Sequence, residues 1–360
     1  MSYEVALSSA FLSALTMPII LNFAHKNSLY DSLDARKNHN GNIPRLGGVG
    51  IFVAFATMMF GLILIQPGTV AKELASRASR LWPLALSGMI MHIIGLLDDI
   101  KAQSPRLKLA IQIVAAIMVV ASGYRFRGFG FQQDAMQGQL TWFSVILSVG
   151  WIVGVTNAVN FIDGIDGLAG SVSFIVAMVY GTLYYNFGDA SSSLICLCIA
   201  GVIVGFLFFN FPMPNAKIFM GDSGSLFLGF SLAVMPFLGQ VPRGESVKLS
   251  IGLFPSITML ALPVFDTLRV MGLRIAEGRN PMSPDRQHVH HLFFDSGYSK
   301  LRIDLILSLV TAGLAFVVLI AADMPQSLGF MFEFIAMGLL MIFFRYARYV
   351  NIEHLVNTER

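Results

Sequence analysis

Charge is what this chain has least of. Only 12% of its 360 residues are Asp, Glu, Lys or Arg, about half the share of an ordinary soluble domain, and 55% are hydrophobic. A mean hydropathy of +0.70 excludes a conventional soluble core under a charged coat. The 24 Lys and Arg are spread between apolar runs rather than gathered into a stripe, and the net charge is +3, which excludes a nucleic-acid surface. Cysteine is equally sparse. Cys196 and Cys198 share one apolar run at a spacing that turns them to different sides of a helix, so they read as core or lipid-facing filler, not as a disulfide or a metal pair. A basic stretch ahead of the first apolar run is also missing. Glu4 stands there, while Lys26, Arg36 and Lys37 follow the run, so a retained first span is expected rather than a cleaved signal peptide.

What is abundant is apolar length. A bilayer core takes roughly 20 apolar residues per helix, and such windows centre near 5–24, 46–66, 81–97, 107–122, 141–157, 168–185, 192–210, 224–240, 249–272, 303–322 and 328–346. The expected fold is therefore an all-α integral membrane protein of about eleven transmembrane helices. Without an internal repeat or a low-complexity tract, residues 1–360 form a single polytopic domain. Loops after odd-numbered spans share one face: 25–45, 98–106, 158–167, 211–223, 273–302 and the tail. With the adjoining helix ends they carry 17 Lys and Arg, against 7 on the other face, so this face is expected in the cytoplasm, the amino terminus outside and the carboxyl terminus inside.

The same face collects the motifs that could do chemistry. "LLDDI" places Asp98 and Asp99 where the negative end of a helix disfavours carboxylates, so a nearby cation is expected. The bland reading is a solvated loop start beside Lys101; the sharper one is a base with a metal or phosphate organiser. In "NAVNFIDGIDGLAG", Asp163 and Asp166 are three apart and would share a helix face, with Gly164 and Gly167 admitting close backbone approach. Charges kept at that depth imply a polar cavity, and the spacing lacks an EF-hand's ligand pattern. Asp222 in "FMGDSGS" reads as an N-cap or as a diphosphate site at a helix N-terminus, with Phe219 free to stack on a base or merely to pack. "DRQHVHH" sets Arg286 beside His288, His290 and His291, too close together to supply three zinc ligands easily and better suited to a phosphate or sugar phosphate. Basic residues Arg36, Lys37, His39 and Arg45 before Gly47 and Gly48 suggest another anion contact. Together these describe magnesium-assisted chemistry on a diphosphate at a membrane surface.

Through "DSLDARKNHNGNIPRLGG", "LLDDI", "NAVNFIDGIDGLAG", "KIFMGDSGS", "PVFDT" and "SPDRQHVHHLF", in that order, the chain resembles the polyprenyl-phosphate N-acetylhexosamine-1-phosphate transferases, and most the bacterial undecaprenyl-phosphate GlcNAc-1-phosphate branch. Its histidine cluster differs from that of the muramyl-pentapeptide transferases, which remain the alternative within the family. One departure is Leu33 and Asp34 after Asp31, where the family usually has Pro-Asn. The resemblance implies transfer of HexNAc-1-phosphate from UDP-GlcNAc or a related UDP-sugar to undecaprenyl phosphate, releasing UMP and initiating a cell-surface glycan, in the bacterial inner membrane. By position it implies magnesium, or manganese in its place, on Asp222 and Asn160. Asp98 would deprotonate or orient the lipid phosphate, with Asp99 and Asp163 assisting. Asp166 and Phe219 would recognise uracil; Arg286, His288, His290 and His291 the sugar phosphate; Lys108, or Arg106 by a small shift in alignment, a phosphate; and Asn157 and Arg45 would complete the substrate site. Homodimerisation through outer spans is compatible with the sequence, but no motif requires it. Rival readings are a membrane prenyltransferase with Asp-rich loops and magnesium, which would release pyrophosphate, and a transporter, which would hold its acids at the bilayer midplane.

Overall fold

The computed structural model describes residues 2–27, 29–30, 43–66, 68–132, 142–213, 215–240, 250–280 and 286–358. Arg36, Lys37 and His39 of the basic loop lie outside the described residues, as do Asp134 and Asp285. Helices fill every expected place: α1 Ser2–Lys26, α2 Gly47–Ile65, α3 Thr69–Ile100, α4 Pro105–Ala121, α5 Trp142–Ile162, α6 Leu168–Asn186, α7 Ala190–Asn210, α8 Gly221–Val234, α9 Leu253–Met259, α10 Ala261–Ala276, α11 Val289–Asp295, α12 Lys300–Ala321 and α13 Gln326–Thr358. Among the described residues, eight helices are long and apolar enough to cross a membrane, or nine if α9 and α10 count as one bent span. Of the other expected spans, α4 has 17 residues and α8 only 14, short of a straight crossing.

Window 249–272 is not one straight helix. It breaks at Leu260, and α9 and α10 meet at 83°. Pro263 explains the break, because it has no N–H to bond the carbonyl four residues back and its ring collides with that turn. Exposed Phe208 and Leu309, at 78% and 71%, belong to the broad apolar belt that such a bundle turns toward lipid.

α8 stands at the centre. Its sequence "GDSGSLFLGFSLAV" offers small residues on several sides, and backbones close onto them. A Cβ on Gly48 of α2 would strike the Gly224 backbone, one on Gly95 of α3 the Asp222 carbonyl, and one on Gly229 would meet the Thr156 carbonyl of α5 at 2.8 Å. The first helix packs along α7 in the same way, with Gly201 and Gly205 facing the Ala6 and Ala10 carbonyls. Cys196 and Cys198 are free and buried; Ser9 Oγ lies 3.3 Å from Cys198 Sγ.

The two ends of the bundle differ. At one end, β1 Phe131–Gln132 pairs antiparallel with β2 Ser250–Ile251, and Arg77 reaches Asp189, whose side chain also caps α7 through Ser192 N. Asp189 is thus a structural acid. At the other end the chemical motifs meet.

Candidate active site

α3 ends on Asp98 and Asp99, and α8 begins beside them. Asp99 Oδ1 accepts from Asp222 N at 2.8 Å and Asp99 Oδ2 from Ser223 N at 2.9 Å. A carboxylate disfavoured at one helix's C-terminus is thereby stabilised by another's N-terminus. Gly221, at φ +72°, makes the turn possible: a Cβ there would meet Asp99 Oδ2 at 2.6 Å as well as the Arg45 carbonyl. This corrects one expectation, since Asp222 does not cap its own helix. Its side chain is released for other work.

Lys108, from the first turn of α4, supplies the expected cation; Lys101 does not. Its Nζ lies 3.1 Å from Asp98 Oδ2 and 2.9 Å from Asp222 Oδ2. Asp98 Oδ1 also accepts from Gln103 N at 2.7 Å. Arg45 approaches Asp222 at 3.6 Å and Asp99 at 3.8 Å. Three carboxylates therefore face two cations, leaving the cluster one negative charge in excess.

One wall of this cluster is α5. Asn157 exchanges its side-chain amide with Gln112 of α4, donating at 2.6 Å, and Asn160 Nδ2 donates to Ser225 Oγ of α8 at 2.8 Å. The glycines after Arg45 do not cradle an anion. Gly47 N and Gly48 N donate to the carbonyls of Phe219 and Met220, and Phe219 N donates to Pro44 O at 2.8 Å. Those glycines exist for close packing of α2 on α8, and Phe219 is held at the rim through its backbone.

Asp163 and Asp166 lie in the turn between α5 and α6, not on one helix face as expected. Gly167 bends that turn at φ +86°, and its N–H donates to Asn210 Oδ1 at 2.9 Å. Burial pushes the Asp163 carboxyl well above the usual carboxylate range; Arg45 opposes the shift, and Asp222, Asp99 and Asp166 reinforce it. Those couplings tie the turn to the acidic cluster. Asp166 binds Lys300 Nζ at 2.8 Å, at the start of α12.

The histidine segment closes over this turn. His290 lies so close to Gly164 that a Cβ there would strike its ring. His288 Nδ1 is 2.9 Å from Asp266 Oδ2 of α10, whose carboxylate also receives Val289 N at 3.1 Å and Arg269 at 2.8 Å. Burial, with His291 and His288 adding, lowers His290 well below the usual imidazole range, and burial together with Arg286 and His288 brings His291 to about 4. These two rings are therefore neutral at neutral pH, and among the described residues neither ring nitrogen of His290 has a hydrogen-bond partner. Arg286 lies further out, half exposed and paired with Asp295 at 2.6 Å.

The predicted site residues that are described thus fall at one end of the bundle, Arg36, Lys37 and His39 lying outside the described residues. Asp98, Asp99, Asp222, Lys108 and Arg45 form one network, and Asp266, His288, His290 and His291 a neighbouring cluster, while Asp163 couples to the first network and Asp166 pairs with Lys300. Lys300, Asp266, Arg269, Gln112, Ser225 and Asn210 were not foreseen. "PVFDT" had marked Asp266 without giving it a role, whereas Lys300 carries no signal in the sequence. Among the described residues no three His, Cys, Asp or Glu side chains converge as a ready metal site.

A family model described as glycosyl transferase family 4 matches residues 81–240. The chain is 33% identical, over 94% of its length and 89% of the relative's, to a Bacillus subtilis protein named probable undecaprenyl-phosphate N-acetylglucosaminyl 1-phosphate transferase. Proteins named undecaprenyl-phosphate alpha-N-acetylglucosaminyl 1-phosphate transferase are 28% identical to it: that of Yersinia pestis over 89% of this chain and 83% of the relative, and that of Escherichia coli K12 over 81% and 76%.

Proposed function

The chain belongs to the polyprenyl-phosphate N-acetylhexosamine-1-phosphate transferase family, and we propose that it transfers N-acetylglucosamine 1-phosphate from UDP-GlcNAc to undecaprenyl phosphate, releasing UMP. One observation carries the reading: Lys108 bridges Asp98 and Asp222 at the mouth of an apolar bundle, with Arg45 beside them. That combination can meet a diphosphate from water and a polyprenyl chain from lipid.

In this reading the enzyme crosses the bacterial inner membrane eleven times, with α4, α8 and the bent α9–α10 pair completing the set. Its amino terminus is outside, and the site opens to the cytoplasm, as the 17 to 7 distribution of Lys and Arg favours. Magnesium suits the donors, which are all hard oxygens. Asp222 and the Asn160 carbonyl would hold it, with water and diphosphate oxygens filling the remaining positions. The ion would supply neutralisation of charge on the diphosphate and on departing UMP.

The protein's own groups do the positioning. Arg45 and Lys108 receive phosphate oxygens, and Lys108 turns from its two carboxylates toward the donor. Asp98, freed from that ion pair, deprotonates the lipid phosphate or orients it through the proton they share. An oxygen of that phosphate attacks the β-phosphorus; the new P–O bond forms as the bond to the bridging oxygen breaks, and that electron pair leaves on UMP. Products are the lipid diphosphosugar and UMP. Asp166 and Phe219 hold the uracil, while neutral His290 and His291, with His288 and Arg286, face the sugar phosphate.

The test is UMP release by purified protein with undecaprenyl phosphate, magnesium and a panel of UDP-sugars. UDP-GlcNAc is expected to be turned over fastest, and Asp222→Asn to lose at least a hundredfold in kcat. A prenyltransferase would release pyrophosphate instead, and unchanged turnover in Asp222→Asn would remove the metal assignment.

A further inference from the structure

At the end of the bundle away from the acidic cluster lies a cavity of about 340 Å³, lined among others by Phe131, Phe187, Gln326, Phe330 and Glu333. Topology fixes its place. α12 starts at the active-site end with Lys300 and ends at Ala321, and Ala321 and Ala322 line the cavity; α6 likewise starts beside Asp166 and runs to Asn186, one residue before Phe187. Nothing in the proposed transfer uses this cavity.

Glu333 makes it a site rather than a packing gap. Its side chain is 1% exposed, lines the cavity, and has an Oε2 with no hydrogen-bond partner among the described residues. A buried carboxylate inside a membrane bundle needs a partner. The walls narrow the choice. Three of the lining residues are phenylalanines, with Phe131 and Phe187 stacked at 6.1 Å, and aromatic faces attract cations. One carboxylate and the Gln326 amide make too few oxygen donors for a divalent ion. An ammonium group satisfies both the acid and the rings. Gln326, Gly329, Phe330 and Glu333 lie along one face of α13, placing Glu333 about 10 Å along the helix from exposed Gln326. Glu333 thus lies about two turns into α13, near the end of the bundle from which a lipid headgroup would enter. A volume of 340 Å³ is about eleven times the roughly 30 Å³ share of one water, ample for a two-carbon amine and its linkage.

We infer that this cavity binds a primary ammonium group, carried by an aminophospholipid headgroup or by a free amine, through Glu333 and the surrounding phenylalanine rings.

The experiment uses full-length protein in detergent with dioleoylphosphatidylethanolamine, dioleoylphosphatidylglycerol or ethanolamine alone as probes, and native mass spectrometry to count what is retained. Wild type is expected to retain phosphatidylethanolamine at least fivefold over phosphatidylglycerol. Glu333→Gln, which keeps the shape and removes the charge, is expected to lose that preference, and so is Ala322→Leu, which narrows the cavity and keeps the acid. UMP release by Glu333→Gln within twofold of wild type shows that the variant is folded. Binding of ethanolamine without the lipid, lost in Glu333→Gln, would make the ligand a free amine. Equal retention of both lipids, or a preference that survives in Glu333→Gln, would overturn the inference.

Discussion

Replacing Asp99 with Asn asks whether the start of α8 is held by a carboxylate from α3. The Asp99 side chain is 1% exposed, and both oxygens are occupied, by Asp222 N at 2.8 Å and Ser223 N at 2.9 Å. An amide in the same place can accept one of these bonds. Its NH2 then faces the other N–H, leaving a buried donor unmet and the helix end without its counter-charge. Losing one charge-assisted bond costs about 1.5–3 kcal/mol, and the helix-terminus charge is worth roughly 0.5–1 kcal/mol more. The expected loss is about 2–4 kcal/mol, read as a thermal unfolding midpoint several degrees lower in detergent. Turnover should fall with it, because Asp222 is the next residue and loses its bearing. The informative control is Asp98→Asn. Asp98 is bonded to Gln103 N and Lys108 and caps no helix N-terminus, so that variant should lose turnover with a smaller fall in midpoint. If Asp99→Asn melts within a degree of wild type, or melts higher than Asp98→Asn, the cap is not what fixes α8.

Acid should destabilise the protein through its histidines. The His291 pKa of about 4 lies below the unfolded value of 6.5, so the native state binds fewer protons between them and stability is lost as pH falls from 6.5 toward 4. The contribution is at most on the order of 3 kcal/mol, and His291→Asn should flatten the midpoint-against-pH curve in that window. Asp266→Asn should free His288 from its 2.9 Å partner and raise KM for the UDP-sugar several-fold more than it lowers kcat; an unchanged KM would show that the pair does not orient the ring. Lys300→Met should raise KM for the nucleotide by releasing Asp166 from its 2.8 Å contact, with product inhibition by UMP weakened in parallel. Gly48→Ala drives a methyl into the Gly224 backbone and should cost about 1–3 kcal/mol or more, visible as poor folding rather than as a kinetic change.

How much of this was legible in the sequence differs from residue to residue. Apolar length located every long helical segment, since bilayer thickness imposes one scale on all of them, but not the short α11, which lies in the segment read as a loop. It did not reveal that the segment at 249–272 breaks, because Pro263 acts on geometry and not on hydropathy. Parity of the loops put the acidic motifs on one face, and they do meet there. The local roles were harder to read. Asp222 had the spacing of an N-cap, yet the cap comes from Asp99, more than a hundred residues earlier. Gly47 and Gly48 looked like an anion cradle, but their N–H groups bond the Phe219 and Met220 carbonyls. Lys300 and Gln112 gave no sign, since a lone Lys or Gln at a helix end is ordinary until its partner is known.

The most direct test of the central claim follows a single phosphorus atom. The reading places attack at the β-phosphorus of the donor, so UDP-N-acetylglucosamine labelled with ³²P in the β-position should deliver its label to undecaprenyl lipid and leave unlabelled UMP. Label retained in UDP, with sugar alone on the lipid, would contradict it.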